Sequence, residues 1–292
     1  LGFIAPFPTD EDMNKLYERD YGSYIPTKQS KIGQLVKHYI GEFRFYNYFK
    51  NRNIFVEWAA RLFAILIELV TGKQTSYTVG IPLQLERTDN ILEIGYGTGD
   101  WLHWMRSLGF ENLYGYDISD FNASRLHQAG VKTFTGNISE LAKTNIKFNL
   151  VRLQHVFEHV PDPAGFLHNL NNILQPGGRI VVVVPNLMSL SFKLFKLHYA
   201  HLAIPHHLFH YPPQSLGRLF MKSGYSVEAI KTLGQSSIFL SSLASFLRAK
   251  GFVMSARIVD SRISSYLLSP AAGLLGFFGL GDEVTLVAAK PS

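Results

Sequence analysis

The rhythm of hydrophobic and polar positions changes near residue 80. Before it, aromatic and basic residues cluster in KLYERDYGSY and FRFYNYFKNR. The run IFVEWAARLFAILIELV carries Glu57, Arg61 and Glu68 inside an apolar stretch, which predicts an amphipathic helix rather than a membrane span. From Asn90 onward, short apolar runs alternate with segments of helical period. NILEIG, NLYGYDIS, VKTFTGNI, FNLVRLQH and RIVVVVPN read as five strands. Between the first two, Trp101, Met105 and Leu108 recur at helical spacing up to Gly109, and ASRLHQAG forms a second helix ending at Gly130. Before the fifth strand, Asp162 can cap, Pro163 suits a first turn, and Phe166, Leu167, Leu170, Ile173 and Leu174 share one face.

RIVVVVPN is apolar at successive positions, as a strand covered on both faces must be, so it belongs inside a parallel sheet. YSVEAIKTL and EVTLVAAKP supply a sixth and a seventh strand, the last expected to run antiparallel. The pattern predicts a doubly wound α/β sheet of seven strands, with its core over residues 85–235. Residues 1–80 form a helical N-terminal cap or lid, and 81–292 the main domain. Residues 235–281 are too long for a turn and read as a helical insert before the last strand. Within it, ISSYLLSPAAGLLGFFGLG has no charge; a buried helix is expected there, with peripheral membrane contact through 235–281 as the second reading. Ligands of such sheets sit at the carboxyl ends of the strands, here just after Ile94, Tyr116, Thr135, Leu153 and Val184.

Composition narrows the chemistry. There is no cysteine, which excludes disulfides, thiolate metal sites and a cysteine nucleophile. The net charge of +6 is spread along the chain with no basic arm, so nucleic acid is not the expected partner. The N-terminus lacks the basic start and long apolar run of a signal peptide, and a cytoplasmic location is expected. The chain starts at Leu1 rather than at methionine, which reads as a clipped or partial chain.

The first strand runs into Gly95, Gly97 and Gly99, where bare backbone permits a tight turn and close approach of a ligand. Asp117 ends the second strand, 18 residues past the last of these glycines, where a carboxylate can accept ribose hydroxyls. A dinucleotide fingerprint would place the third glycine one residue later.

ILEIGYGTGDWL, YGYDIS, GNISEL and LQHVFEHVPDP…ILQPGGRIVVVVPN, in that order, resemble the successive motifs of class I S-adenosylmethionine-dependent methyltransferases. The resemblance covers about 85–235, extends to the final GDEVTLVAAKP, and implies a Rossmann-like fold and S-adenosylmethionine as cofactor. It places Glu93, Gly95, Tyr96, Gly97 and Gly99 at the methionine end, Asp117 and Ile118 at the ribose, Asn137 and Ile138 at the adenine, and Gln154 at the middle. Asn137 and Asn149 stand where the family commonly has acids. The leader LGFIAPFPTDEDMNKLYERDYGSY is similar to one in bacterial methyltransferases of sugar and surface-polysaccharide pathways, where Tyr21 and Tyr24 would close over the cofactor.

HVFEH sets His155, Glu158 and His159 at the spacing of a zinc-peptidase motif, but Pro161 and Pro163 forbid the long helix such a site needs. Ubiquinone-pathway O-methyltransferases have a similar Glu–His pair in this loop, which can bind a divalent cation; here His155 replaces an acid, and no metal is favoured. IPHHLFHYPPQSL resembles the family's segment bordering the substrate, with His207 in the histidine place and His210 nearby. A hydroxyl acceptor must lose a proton, and histidine suits that task near neutral pH. The candidate catalytic residues are His159, then His207 and His155, with Glu158 orienting them or touching substrate. The expected activity is methyl transfer to a small-molecule or glycan-linked acceptor, in first place O-methylation. The alternatives are a quinone-pathway O-methyltransferase, a nicotinamide-dependent oxidoreductase, and a cofactor-binding protein without catalysis.

Overall fold

The computed structural model describes residues 2–3, 83, 85–136, 138–259 and 262–292; for 262, 263, 265, 266, 269 and 270 it describes the backbone only. The expected N-terminal helices, Tyr21, Tyr24 and Asn137 lie outside the described residues.

Strands β2 (Asn90–Ile94), β3 (Asn112–Asp117), β4 (Lys132–Thr135), β5 (Phe148–Gln154), β6 (Leu174–Pro185), β8 (Ser226–Leu233) and β9 (Glu283–Ala289) form one sheet in the order β4-β3-β2-β5-β6-β9-β8. All neighbours pair in parallel except β9, which is antiparallel to both β6 and β8, as the sequence predicts. A two-residue strand β1 (Gly2–Phe3) pairs antiparallel with β7 (Phe209–His210). The Val-rich β6 sits between β5 and β9, where its apolar residues are covered on both faces.

Strand residues of one parity pack one way and those of the other parity pack the opposite way. Leu92, Ile94, Val151, Leu153, Val182 and Val184 meet Leu167, Leu170 and Ile173 of helix α4 (Pro163–Ile173) and Leu216 and Phe220 of α6 (Pro213–Lys222). Ile91, Leu113, Leu150, Val181 and Val287 meet Trp101, Leu102 and Met105 of α1 (Asp100–Ser107) and Leu126 of α2 (Ala123–Gln128). Helices α3 (Glu140–Lys143) and α5 (Leu190–Phe195) are short connectors. Asp162 caps α4 by accepting the Gly165 amide at 3.0 Å, with Pro163 in the first turn. Leu174 departs from expectation: it leaves α4 with extended backbone and pairs with Phe148, so β6 begins before the glycine turn. Gly177 with φ +73 and a register shift against β5 absorb the extra residues.

Between β8 and β9 lie α7 (Ser236–Ala249), α8 (Val253–Val259) and α9 (Arg262–Phe277). The expected burial of the uncharged stretch is not what the fold provides. Leu267, Leu274, Phe277 and Phe278 are 62–82% exposed, and among the described side chains of α9 Ala272 is buried. A helix of 16 residues at the rim packs one narrow side on its neighbours, and where Gly276 meets the β8 end a Cβ would lie 2.8 Å from the Gly234 nitrogen. No helix among the described residues is long and apolar enough to cross a membrane.

Phe157 follows β5 and is wholly buried, with ring centroids 5.4 Å from Tyr211, 5.7 Å from Phe220 and 6.2 Å from Phe166. Phe157→Ala is expected to lower unfolding free energy by about 3–5 kcal/mol, read from urea denaturation as a lower midpoint at unchanged slope.

Candidate active site

The carboxyl edge of β2 is built around backbone that only glycine adopts easily. Gly95, Gly97 and Gly99 have φ of +70, +49 and +73. A Cβ at Gly95 would lie 2.2 Å from Val156, and one at Gly99 2.6 Å from Leu126. The bend is held from three sides. Gly97 donates its amide to Asp117 Oδ2 at 3.0 Å, Asn122 donates to the Gly97 carbonyl at 2.8 Å, and Arg125 donates to the Thr98 carbonyl. Asp117 also accepts the Ser119 amide at 3.2 Å. Tyr96 is buried and donates to the Ser119 carbonyl, whereas Ile118 is 57% exposed beside it and Ile138 is buried. These residues converge on one edge, as the motif positions imply.

Beneath the bend, Glu93 is buried and paired with Arg152, whose other terminal nitrogen donates to Gln154 Oε1. Burial drives the Glu93 carboxyl up to about 7, with Arg152 opposing that rise. A bend of bare backbone, a carboxylate at the next strand end and a buried acceptor, Glu93 Oε2, without a hydrogen-bond partner fit an adenosyl sulfonium with an amino-acid tail.

The second half of the site is the turn Phe157–His159 after β5, a single 3₁₀ turn rather than a helix. Its entry residue, His155, has left-handed backbone with φ +52. That conformation sends the ring between two buried carboxylates, Nδ1 at 3.3 Å from Glu158 Oε1 and Nε2 at 2.8 Å from Glu283 Oε1. Burial alone would lower its pKa, but the Glu283 and Glu158 carboxylates outweigh it and raise it to about 10. Burial likewise raises Glu158, and the hydrogen bond and charge of His155 overcome it and hold that carboxyl well below the ordinary range.

His159 and His207 differ from His155. Each donates Nδ1–H to a carbonyl, His159 to His206 at 2.6 Å and His207 to His201 at 2.8 Å. A carbonyl can only accept, so in the neutral ring Nε2 is the unprotonated nitrogen of both. Their rings meet edge to face at 4.8 Å, and His207 Nε2 lies 4.0 Å from Glu158 Oε1. Burial lowers the pKa of both, to about 4 for His207. Glu158, His159 and His207 offer donor atoms within 4.8 Å of one another, a spacing that could hold a divalent cation. His207, not His155, completes this set. His210 turns away and donates to the Leu202 carbonyl at 2.9 Å.

Sequence reasoning missed three residues. Glu283 begins β9, 128 positions from His155, and only the strand order brings them together. Arg152 could have been noticed as a lone charge in an apolar strand. Asn122 carries no signal beyond its loop.

The chain matches the family model described as "Methyltransferase domain" over residues 60–230, more than half its length, and belongs to that family. It is an S-adenosylmethionine-dependent methyltransferase. It is 25% identical over 206 residues to a demethylmenaquinone methyltransferase of Geobacillus stearothermophilus, covering 67% of this chain and 81% of that one. Among solved structures, an S-adenosylmethionine-dependent methyltransferase from Thermotoga maritima is 18% identical with a TM-score of 0.46, covering 86% of this chain and 99% of the other. One from Mesorhizobium loti is 15% identical with a TM-score of 0.45, covering 70% and 93%. The family match sets aside the nicotinamide and non-catalytic alternatives.

The His155 cluster has a pH signature. Its pKa is raised above the unfolded value of 6.5, so its stabilisation is complete below about 6.5, declines above that and is gone once pH passes about 10. His155→Asn keeps a residue tolerant of left-handed backbone. The variant is expected to be less stable than wild type at pH 6.5, with the two urea midpoints converging as pH rises to 10.

Proposed function

We propose that this enzyme methylates a hydroxyl oxygen of a small-molecule or glycan-linked acceptor, with His159 as the general base. The observation that supports it is the tautomer of His159. Its Nδ1–H is committed to the His206 carbonyl, so Nε2 carries the basic lone pair, and burial keeps that ring neutral near pH 7. His207 backs His159 from the side.

Glu93, Gly95, Tyr96, Gly97, Gly99, Asp117, Ile118, Ile138 and Gln154 would hold S-adenosylmethionine, which supplies an electrophilic methyl group on a sulfonium. The chain's own work is alignment and proton transfer. The acceptor hydroxyl would give up its proton to His159 Nε2 as its oxygen takes the methyl group that S-adenosylmethionine would supply. The imidazolium so formed lies beside the Glu158 carboxylate, which is kept ionised by His155. His155 is itself held protonated between two carboxylates, so its role in this reading is to fix Glu158 rather than to take a proton.

The name of the Geobacillus relative supports a second reading, a quinone-type acceptor. The exposed Phe252, Met254, Phe277 and Phe278 and the basic Arg248, Lys250 and Arg257 of the insert support contact with an anionic bilayer.

With an acceptor identified from a panel of sugar and quinol hydroxyls, His159→Ala is expected to lower kcat by roughly 10²–10⁴-fold, leaving cofactor affinity within about twofold in calorimetry. Wild-type kcat should fall as pH drops through a value below 6.5, and the variant should lack that limb. Unchanged turnover would sink the base assignment, and loss on chelation restored by a divalent metal would reassign His159 as a ligand.

A further inference from the structure

We propose that Arg152 is a positioning residue for the cofactor: one guanidinium, set over the Trp101 ring, aims Glu93 and Gln154 at the ligand edge of the sheet. The inference rests on the cofactor assignment of the glycine bend.

Glu93 and Arg152 are direct partners across neighbouring parallel strands. Residues of this parity point to the α1 face of the sheet, with Ile91 and Leu150. Both side chains are almost wholly buried, at 6% and 5% exposure. The guanidinium carbon lies 4.6 Å from the centroid of Trp101, the second residue of the helix that opens directly after the glycines. Arg152 thus touches β2, its own β5 and α1, the three elements that meet at the bend.

Buried ion pairs are seldom kept for stability, because well-packed apolar residues serve as well or better. What the pair adds is direction. A guanidinium can only donate, so the Gln154 atom facing it is the oxygen, and the amide's NH₂ is left as the donor end. Arg152 engages Glu93 through Oε1, and the other oxygen, Oε2, is the buried acceptor without a hydrogen-bond partner. One donor and one acceptor are thereby oriented by a single cation.

The cation also governs charge. The groups acting on Glu93 are Arg152 from β5, Asp117 from β3 and Asp100 from α1. Removing Arg152 leaves a buried carboxyl facing two acids, and such a group binds a proton at neutral pH.

The test is isothermal calorimetry of S-adenosylmethionine on the full chain at pH 7.5 and 9, with circular dichroism and melting to verify folding. Arg152→Met is expected to weaken binding roughly 10–100-fold at pH 7.5, with much of the loss recovered at pH 9 as Glu93 ionises. Arg152→Lys, which keeps the charge without the fork, should fall between and show no such recovery. In a Glu93→Gln background, adding Arg152→Met should cost less than about threefold more. Wild-type affinity in Arg152→Met and Arg152→Lys would overturn the proposal, as would a loss in Arg152→Met equal at both pH values. If Arg152→Met does not fold, an Arg152→Lys affinity equal to wild type overturns it alone. Failure of wild type to bind the cofactor would instead remove the reading of the glycine bend.

Discussion

One hydrogen bond ties the two halves of the cofactor edge together: the Gly97 amide donating to Asp117 Oδ2. It joins the bend after β2 to the end of β3, adjacent parallel strands whose ends would otherwise splay as each enters its own loop. It is available because Gly97 has positive φ, and that geometry is accessible because no side chain is present. The neighbouring glycine couples the bend to the other half of the site. The Gly95 position is closed by Val156, which lies between His155 and the buried Phe157. The cofactor bend and the histidine turn are therefore in van der Waals contact and hold one another in place.

The same edge concentrates buried charge. Glu93 and Arg152 lie on one face, while Glu158, His155 and Glu283 gather beyond the end of β5. Buried carboxylates are costly unless compensated, and each here has a cation within reach. His159 and His207, by contrast, are kept neutral by burial, while their carbonyl partners fix the tautomer. Charge thus holds the frame, while these two rings stay neutral.

Much of the fold was legible because its signals are local. NILEIG, FNLVRLQH and RIVVVVPN are too apolar to be anything but covered strands, and Asp162 with Pro163 announces a helix start. The seven strands and the reversed last one followed. The glycine bend and its bond to Asp117 were legible in position for the same reason, since both sit at strand ends. The partnership of His155 with Glu283 was not, because it depends on which strand ends become neighbours. Leu174 fits the helical face by spacing, yet pairing with Phe148 overrode it. The uncharged stretch of the insert read as buried because periodicity reports apolarity and not location, and the helix lies at the rim with Phe277 and Phe278 outward.

The reversed direction of β9 has a consequence for the insert. An antiparallel strand begins where its parallel neighbours finish, so Glu283, its first residue, enters the histidine cluster directly from the loop that closes the insert. The helices from Ser236 to Phe277 are thus bracketed by two anchors on the sheet, the end of β8 and Glu283. The insert is thereby joined to the histidine cluster through its own exit, since the residue that follows its closing loop is the one that meets His155.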